Sequence, residues 1–124
     1  MNITLYGIPN CDQIKKARSW LNEHHIAIDF VDFKKSEVTP ALINAWLKHV
    51  DWQTLLNRRG TTWRQLPESE QLSVIDAASA TRCMVNSPSA IKRPVLVIQT
   101  EQHVEVIVGF SEENYKRLFH TSTI

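Results

Sequence analysis

Ile3-Thr4-Leu5-Tyr6-Gly7-Ile8-Pro9-Asn10-Cys11-Asp12-Gln13-Ile14-Lys15-Lys16 is the stretch that decides how the remaining residues are read. Ile3 and Leu5 alternate with Thr4 and Tyr6, the period of a half-buried strand. Gly7 to Pro9 breaks that period. Asn10 is then expected to cap a helix, with Gln13 three residues on forming a capping box. Ile14, Ala17 and Leu21 fall on one apolar stripe of that helix, with Lys15 and Arg18 beside it. Cys11 therefore stands where a helix leaves its first N–H groups unpaired and its dipole is positive. Such a place favours the thiolate, the nucleophilic form of cysteine, and makes Cys11 the first candidate for chemistry.

Working outward, Ile26 to Phe33 reads as a second strand, with Ile26, Ile28 and Phe30 on one face. Strand, helix and strand make a βαβ unit, which is right-handed with parallel strands. Thr39 and Pro40 supply a cap and a first-position proline for a helix whose inner face is Leu42, Ala45, Trp46 and Val50. Asp51 caps a short helix with Trp52, Leu55 and Leu56 inward. Asn57-Arg58-Arg59-Gly60 stops it, Gly60 suiting a left-handed terminus. Residues 61–66 form a turn that buries Trp63 and Leu66. Helical period then resumes from Ser69 to about Asn86 through Leu72, Ile75 and Ala78, with a break near Ala77 to Ser79. No strand signal occurs between Lys34 and Ile91.

Pro94-Val95-Leu96-Val97-Ile98 is a near-continuous apolar run, hence a buried strand. A short turn, Thr100 to His103, joins it to Val104–Val108 as an antiparallel hairpin. Ser111 caps a last helix with Glu112 and Glu113 in its first turn and Lys116, Arg117 and His120 later, a charge order that suits the dipole. Tyr115, Leu118 and Phe119 form its apolar face. The order is β-α-β, a helical block, then β-β-α. That is an α/β chain with a four-stranded mixed sheet, and it matches a thioredoxin-like fold carrying an all-helical insertion. Residues 1–124 are read as a single domain, with its core at about 1–35 and 91–120 and the insert at about 36–90.

With 124 residues, 43% of them hydrophobic and 22% charged, the chain can build one globular core. A net charge of +1 argues against direct nucleic-acid binding over a broad surface. No stretch is apolar enough for a membrane span, and the first residues lack the order of an export signal. The expected compartment is the cytoplasm, where a lone thiol stays reduced. Cys11 and Cys83 make no disulfide framework. His24, His25, His49, His103 and His120 are scattered, none at ligand spacing from a cysteine, so no metal is expected.

Four places carry candidate chemistry. Cys11 opens a Cys-x-x-Ile motif, so no neighbouring thiol can resolve an adduct, and resolution falls to a small thiol, another protein or Cys83. Cys83, in Ala80-Thr81-Arg82-Cys83-Met84-Val85, reads as a core position. Arg93-Pro94 opens the buried strand, where proline is tolerated. In thioredoxin-like folds a proline there commonly has a cis peptide bond and faces the active-site loop. Arg58 and Arg59 either neutralise a helix C-terminus or clamp an oxyanion or carboxylate with their planar forks; Trp63 could stack near them but reads first as a core residue.

Together these residues resemble the arsenate reductase (ArsC)/Spx family, most closely its small bacterial YffB-like branch. The resemblance runs through residues 4–18, 55–64, Asp76-Ala77-Ala78-Ser79, Ile91-Lys92-Arg93-Pro94-Val95 and Val108-Gly109-Phe110-Ser111. It implies a glutathione-dependent thiol or oxyanion reductase in which Cys11 attacks and glutathione completes the reduction. Arg59 and Arg93 would be catalytic, holding the anion and the thiolate. Asn10, Lys15, Arg58 and Pro94 would bind substrate. No cofactor is bound on this reading; glutathione is the co-substrate, and glutaredoxin is a further candidate partner. The arginine that the arsenate reductases carry shortly after the last strand is missing from Gly109-Phe110-Ser111, which argues against arsenate as the natural substrate. The alternative implied by the family is an Spx-like regulator that binds RNA polymerase, here without the Cys-x-x-Cys redox switch because Ile14 holds the second position.

Overall fold

The computed structural model describes residues 1–119; His120, assigned above to the last helix, lies outside them. The elements run β1 (Asn2–Gly7), α1 (Asp12–Glu23), β2 (Asp29–Asp32), α2 (Pro40–Leu47), α3 (Trp52–Leu55) and α4 (Thr61–Arg64). They continue with α5 (Glu68–Ser73), α6 (Ala77–Asn86), a 3-10 turn at Pro88–Ala90, β3 (Val95–Gln99), β4 (Val104–Val108) and α7 (Glu112–Phe119). They form two compact units, one of Met1–Lys34 with the described residues from Arg93 and one of Lys35–Lys92.

The first unit is built on a sheet of order β2-β1-β3-β4. β1 runs parallel to β2, antiparallel to β3, and β3 returns antiparallel to β4. This is the mixed sheet of a thioredoxin-like fold. Ile3 and Leu5 of β1 lie opposite Ile98 and Leu96 of β3. All four turn the same face into a core shared with Ala17, Trp20 and Leu21 of α1 and Tyr115 of α7. Each fully buried aliphatic side chain in it contributes about 1.5–3 kcal/mol. Aromatic edges join the two helices: Tyr115 meets Trp20 at 5.6 Å and Phe110 at 4.7 Å between ring centroids, both near-perpendicular. That geometry suits the quadrupoles of the rings.

β2 is shorter than the expected Ile26 to Phe33. The end of α1 claims the first residues: His25 adopts φ 57°, its N–H donates to Asn22 O at 3.1 Å, and Ile26 N–H donates to Leu21 O at 2.9 Å. This paired closure satisfies the last helical carbonyls and leaves Ile26 tied to the helix rather than to the sheet. Ile26, Ile28 and Phe30 still pack against the core, as their alternation requires.

The second unit is helical. Thr39 Oγ1 accepts the Leu42 N–H at 3.2 Å, with Pro40 at the first helical position, as expected. Its interior differs from the expected phase. Ile43 and Trp46 are buried while Ala45 is exposed, and Leu72, Ile75 and Ala78 all face outward. The cause is a break at residues 74–76, earlier than expected, where Asp76 and Ser79 form a capping box that starts α6 anew. Once the phase is reset, Ala80 and Met84 point inward. Gly60 has φ −80° and stands at the start of α4, so its expected left-handed conformation is absent. Trp63 and Leu66 are half-buried, and their carbonyls accept the Gln71 side-chain amide.

Candidate active site

At one end of the sheet, β1 and β2 finish and β3 begins. Gly7 O accepts the Phe33 N–H at 2.9 Å, and Pro94 O accepts the Gly109 N–H at 2.8 Å. Since Tyr6 lies opposite Val95, the register sets Gly7 beside Pro94. The Arg93–Pro94 peptide bond is cis. A Cβ placed on Gly7 would come within 4.0 Å of Arg93 Cβ, so the start of the Cys11 loop and the arginine's backbone are close neighbours. Cys11, Arg93 and Pro94 thus share one end of one unit, beyond the carboxyl ends of the two parallel strands. Open α/β sheets bind ligands at that end.

The helix begins one residue later than the sequence suggested. Cys11, not Asn10, is the N-cap of α1, with φ −103° and ψ 132°, and Lys15 N–H donates to its carbonyl at 3.0 Å. Asn10 is exposed in a turn closed by the Cys11 N–H on Ile8 O at 3.3 Å. The turn uses the backbone where an Asn10 cap would have used a side chain. No side chain caps α1. The thiol side chain therefore occupies the position from which a capping oxygen would serve the N2 and N3 amides. Cys11 is half-buried, as Cys83 is, so part of it is open to a reagent from solvent.

Ile14 explains how the loop is held. It is fully buried, and a Cβ on Gly7 would strike its Cδ1 and lie 2.9 Å from its Cγ1. Gly7 is required here for close approach, since any larger residue would push against the first turn of the helix that carries Cys11. Lys15 is exposed and lines a cavity of about 370 Å³ with Lys16, Trp20 and Phe110; Cys11 is not among its residues.

Arg58 and Arg59 belong to the second unit. They lie in the loop between α3 and α4, where Asn57 Oδ1 accepts the Arg59 N–H at 3.3 Å. The Arg58 guanidinium sits 5.5 Å from the ring centroid of Trp52, so the stacking indole is Trp52 and not Trp63. Cys83, half-buried on α6, lines a cavity of about 550 Å³ with Glu70 and Arg82. Burial pushes its thiol pKa up, and the Glu70 carboxylate adds to the rise. That environment disfavours its thiolate. Among the described residues no group of three or more histidine, cysteine or acidic side chains could hold a metal ion, and no helix is long and apolar enough to cross a membrane.

The fold has close counterparts. A solved YffB protein is 42% identical, covering 94% of this chain and 97% of its own, with a TM-score of 0.84. An arsenate reductase (ArsC) related protein from Brucella melitensis is 45% identical over 96% and 95% of the two chains, with a TM-score of 0.72. Among curated proteins, the global transcriptional regulator Spx 2 of Lactococcus lactis is 25% identical over 92% of this chain and 83% of its own. The ArsC family model matches residues 6–118, which include Cys11, Arg58, Arg59, Arg93 and Pro94, and the chain belongs to the ArsC family.

Proposed function

We propose that this protein is a glutathione-dependent reductase that works through one nucleophilic thiol, Cys11. The observation that carries the reading is the cap. A half-buried cysteine occupies the N-cap of a 12-residue helix on which no other side chain serves the first amides. Those N–H groups and the positive end of the helix dipole favour an anionic group beside the thiol. Arg93, next to the cis proline on the same end of the sheet, is proposed to add charge there. Arg59 is proposed as the second catalytic arginine from the family's motif, and Asn10, Lys15, Arg58 and Pro94 as substrate-binding residues.

The chemistry balances with glutathione as its only co-reactant. The Cys11 thiolate attacks the glutathione sulfur of a mixed disulfide between glutathione and a substrate thiol, a Cys11–glutathione disulfide forms, and the substrate leaves as its reduced thiolate. A glutathione thiolate then attacks the glutathione sulfur of that adduct, giving oxidised glutathione and restoring Cys11. Mass spectrometry of the protein treated with oxidised glutathione should show one adduct, on the Cys11 peptide. Cys83→Ser should retain the adduct and Cys11→Ser should lose it. An adduct on Cys83 alone, or none at either thiol, would remove the proposal.

A second reading, a transcriptional regulator, is favoured by the likeness to Spx 2. On that reading Cys11 is dispensable. Pull-down from bacterial lysate should then recover RNA polymerase subunits with Cys11→Ser as well as with the native protein; failure to recover them removes this alternative.

A further inference from the structure

The short helix α5 is turned the opposite way from an ordinary surface helix. Its half-buried side is held by a polar residue, Gln71, whose side-chain amide donates to Trp63 O at 2.8 Å and to Leu66 O at 3.3 Å. The next residue, Leu72, is 70% exposed. An amphipathic helix places its aliphatic side chains inward and its amides outward. Ile75, just past the end of α5, is 76% exposed, and among the described residues Leu72, Ile75 and Met1 are the exposed large hydrophobics. Scattered single aliphatics on a surface are ordinary, whereas two so close in the chain mark an interaction surface.

Ile75 is held in place. Its N–H donates to Ser79 Oγ at 2.9 Å, the Asp76 N–H donates to the same oxygen at 3.0 Å, and Ser79 is buried in the first turn of α6. The backbone therefore presents an aliphatic side chain to water from a fixed position, and the side chain gains none of the burial that stabilises its counterparts in the core. Beside it is a hollow. Ser73 and Val74, which lie between Leu72 and Ile75 in the chain, line the cavity of about 550 Å³ that also has Leu66, Glu70 and Arg82 in its wall. That volume leaves ample room for an aliphatic side chain.

Glu70 and Arg82 are exposed and of opposite charge, and neither forms an ion pair among the described residues. One face of the helical unit thus carries an aliphatic projection, a hollow, and one charge of each sign without an ionic partner. The combination is self-complementary. Across a two-fold axis every contact occurs twice with the roles exchanged, so a projection that enters the partner's hollow receives the partner's projection in its own. Glu70 would then face the partner's Arg82, and Arg82 the partner's Glu70. A basic partner would meet Glu70 and be repelled by Arg82, and an acidic partner the reverse; a second copy satisfies both charges.

We propose that the α5–α6 face of the helical unit, with Leu72 and Ile75 at its centre and Glu70 and Arg82 at its rim, docks a second copy of this chain across a two-fold axis. Sedimentation equilibrium of the full-length protein from about 1 μM to about 1 mM should show a reversible monomer–dimer equilibrium. Ile75→Asp puts a carboxylate into the apolar centre and should weaken dimerisation about tenfold or more. Residue 75 is exposed in the single chain, so the circular dichroism spectrum of this variant should match that of the native protein. Glu70→Arg sets like charges against each other across the axis and should weaken dimerisation about tenfold, and adding Arg82→Glu should restore it, a recovery that a misfolded variant would not give. A monomer over the whole range would overturn the proposal. So would a dimer that persists in Ile75→Asp, or a charge exchange that fails to recover the dimer lost in Glu70→Arg.

Discussion

Gly7→Ala is the sharpest test of how the thiol loop is supported. Gly7 is absent from the positive-φ positions, so alanine is allowed by the backbone and the whole cost comes from the new methyl. That methyl meets Ile14 Cδ1 and lies 2.9 Å from Cγ1, and Ile14 is fully buried with no open side to move toward. Overpacking of this kind costs about 1–3 kcal/mol. The stiffer unfolded chain offsets about 0.4–1 kcal/mol of that. A net loss of about 1.5 kcal/mol is expected. For 124 residues the entropy of unfolding is about 0.26 kcal/mol/K, so Tm should fall by about 6 °C.

Ile14→Val removes the offending Cδ1 and alone costs about 1 kcal/mol. If the clash is the cause, Gly7→Ala should cost far less in the Ile14→Val background, because the new methyl occupies the space that Cδ1 leaves. Urea denaturation of the four proteins measures this directly. The double variant should sit within a few tenths of Ile14→Val rather than at the sum of about 2.5 kcal/mol, a coupling of about 1 kcal/mol or more. Cys11 stands three residues before Ile14, so iodoacetamide labelling of Cys11 should slow in Gly7→Ala and recover in the double variant. Equal costs for Gly7→Ala in both backgrounds would refute the close-approach account.

Three further outcomes are expected. Cys83 should alkylate more slowly than a free cysteine near neutral pH and catch up only in alkaline solution, because burial and Glu70 hold its proton; Glu70→Gln should shift its rate profile toward lower pH. The Asp76 carboxyl is held below its ordinary value of 3.8 by the Ser79 backbone N–H and then by the Ser79 hydroxyl, so its contribution to α6 is complete above about pH 4 and is lost as pH falls through the lower folded value. Asp76→Asn, which caps without titrating, should flatten the acid side of the helix signal in circular dichroism. Arg93→Met should slow formation of the glutathione adduct several-fold, and an unchanged rate would take Arg93 out of the chemistry.

The sheet was legible because its signals are local. Alternation in β1, the continuous apolar run of β3 and the short turn to β4 each announce themselves within a few residues, and the observed registers follow. The helical unit was less so. Its elements run from three to ten residues, and each new cap resets the phase, so a periodicity carried from Ser69 across the Asp76 cap points Leu72 and Ile75 the wrong way. The cap of α1 falls at Cys11 and not at the expected Asn10 for a related reason. Asparagine has the stronger capping preference, but the backbone turn from Ile8 to Cys11 delays the helix by one residue. Lys92 carried no signal of its place beside Arg58 and Arg59. What brings it beside Arg58 and Arg59 is a bridge between Leu56 and Ile91, a pairing across the length of the insert that only folding reveals.

On the proposed thiol chemistry, Ile14 bears on where reducing equivalents would come from. In a Cys-x-x-Cys site the residue three places after the nucleophile supplies the resolving thiol. Here that residue is sealed against Gly7 at zero exposure, a wall of the core rather than part of the site. Placing a cysteine there would trade a core contact for a thiol that solvent does not reach, and burial would hold it protonated. Cys83, on the helical unit, is disfavoured as a thiolate by its own surroundings. If Cys11 reacts, its adduct is therefore left for an external thiol to release, and the open cap of α1 is the place from which that thiol would come.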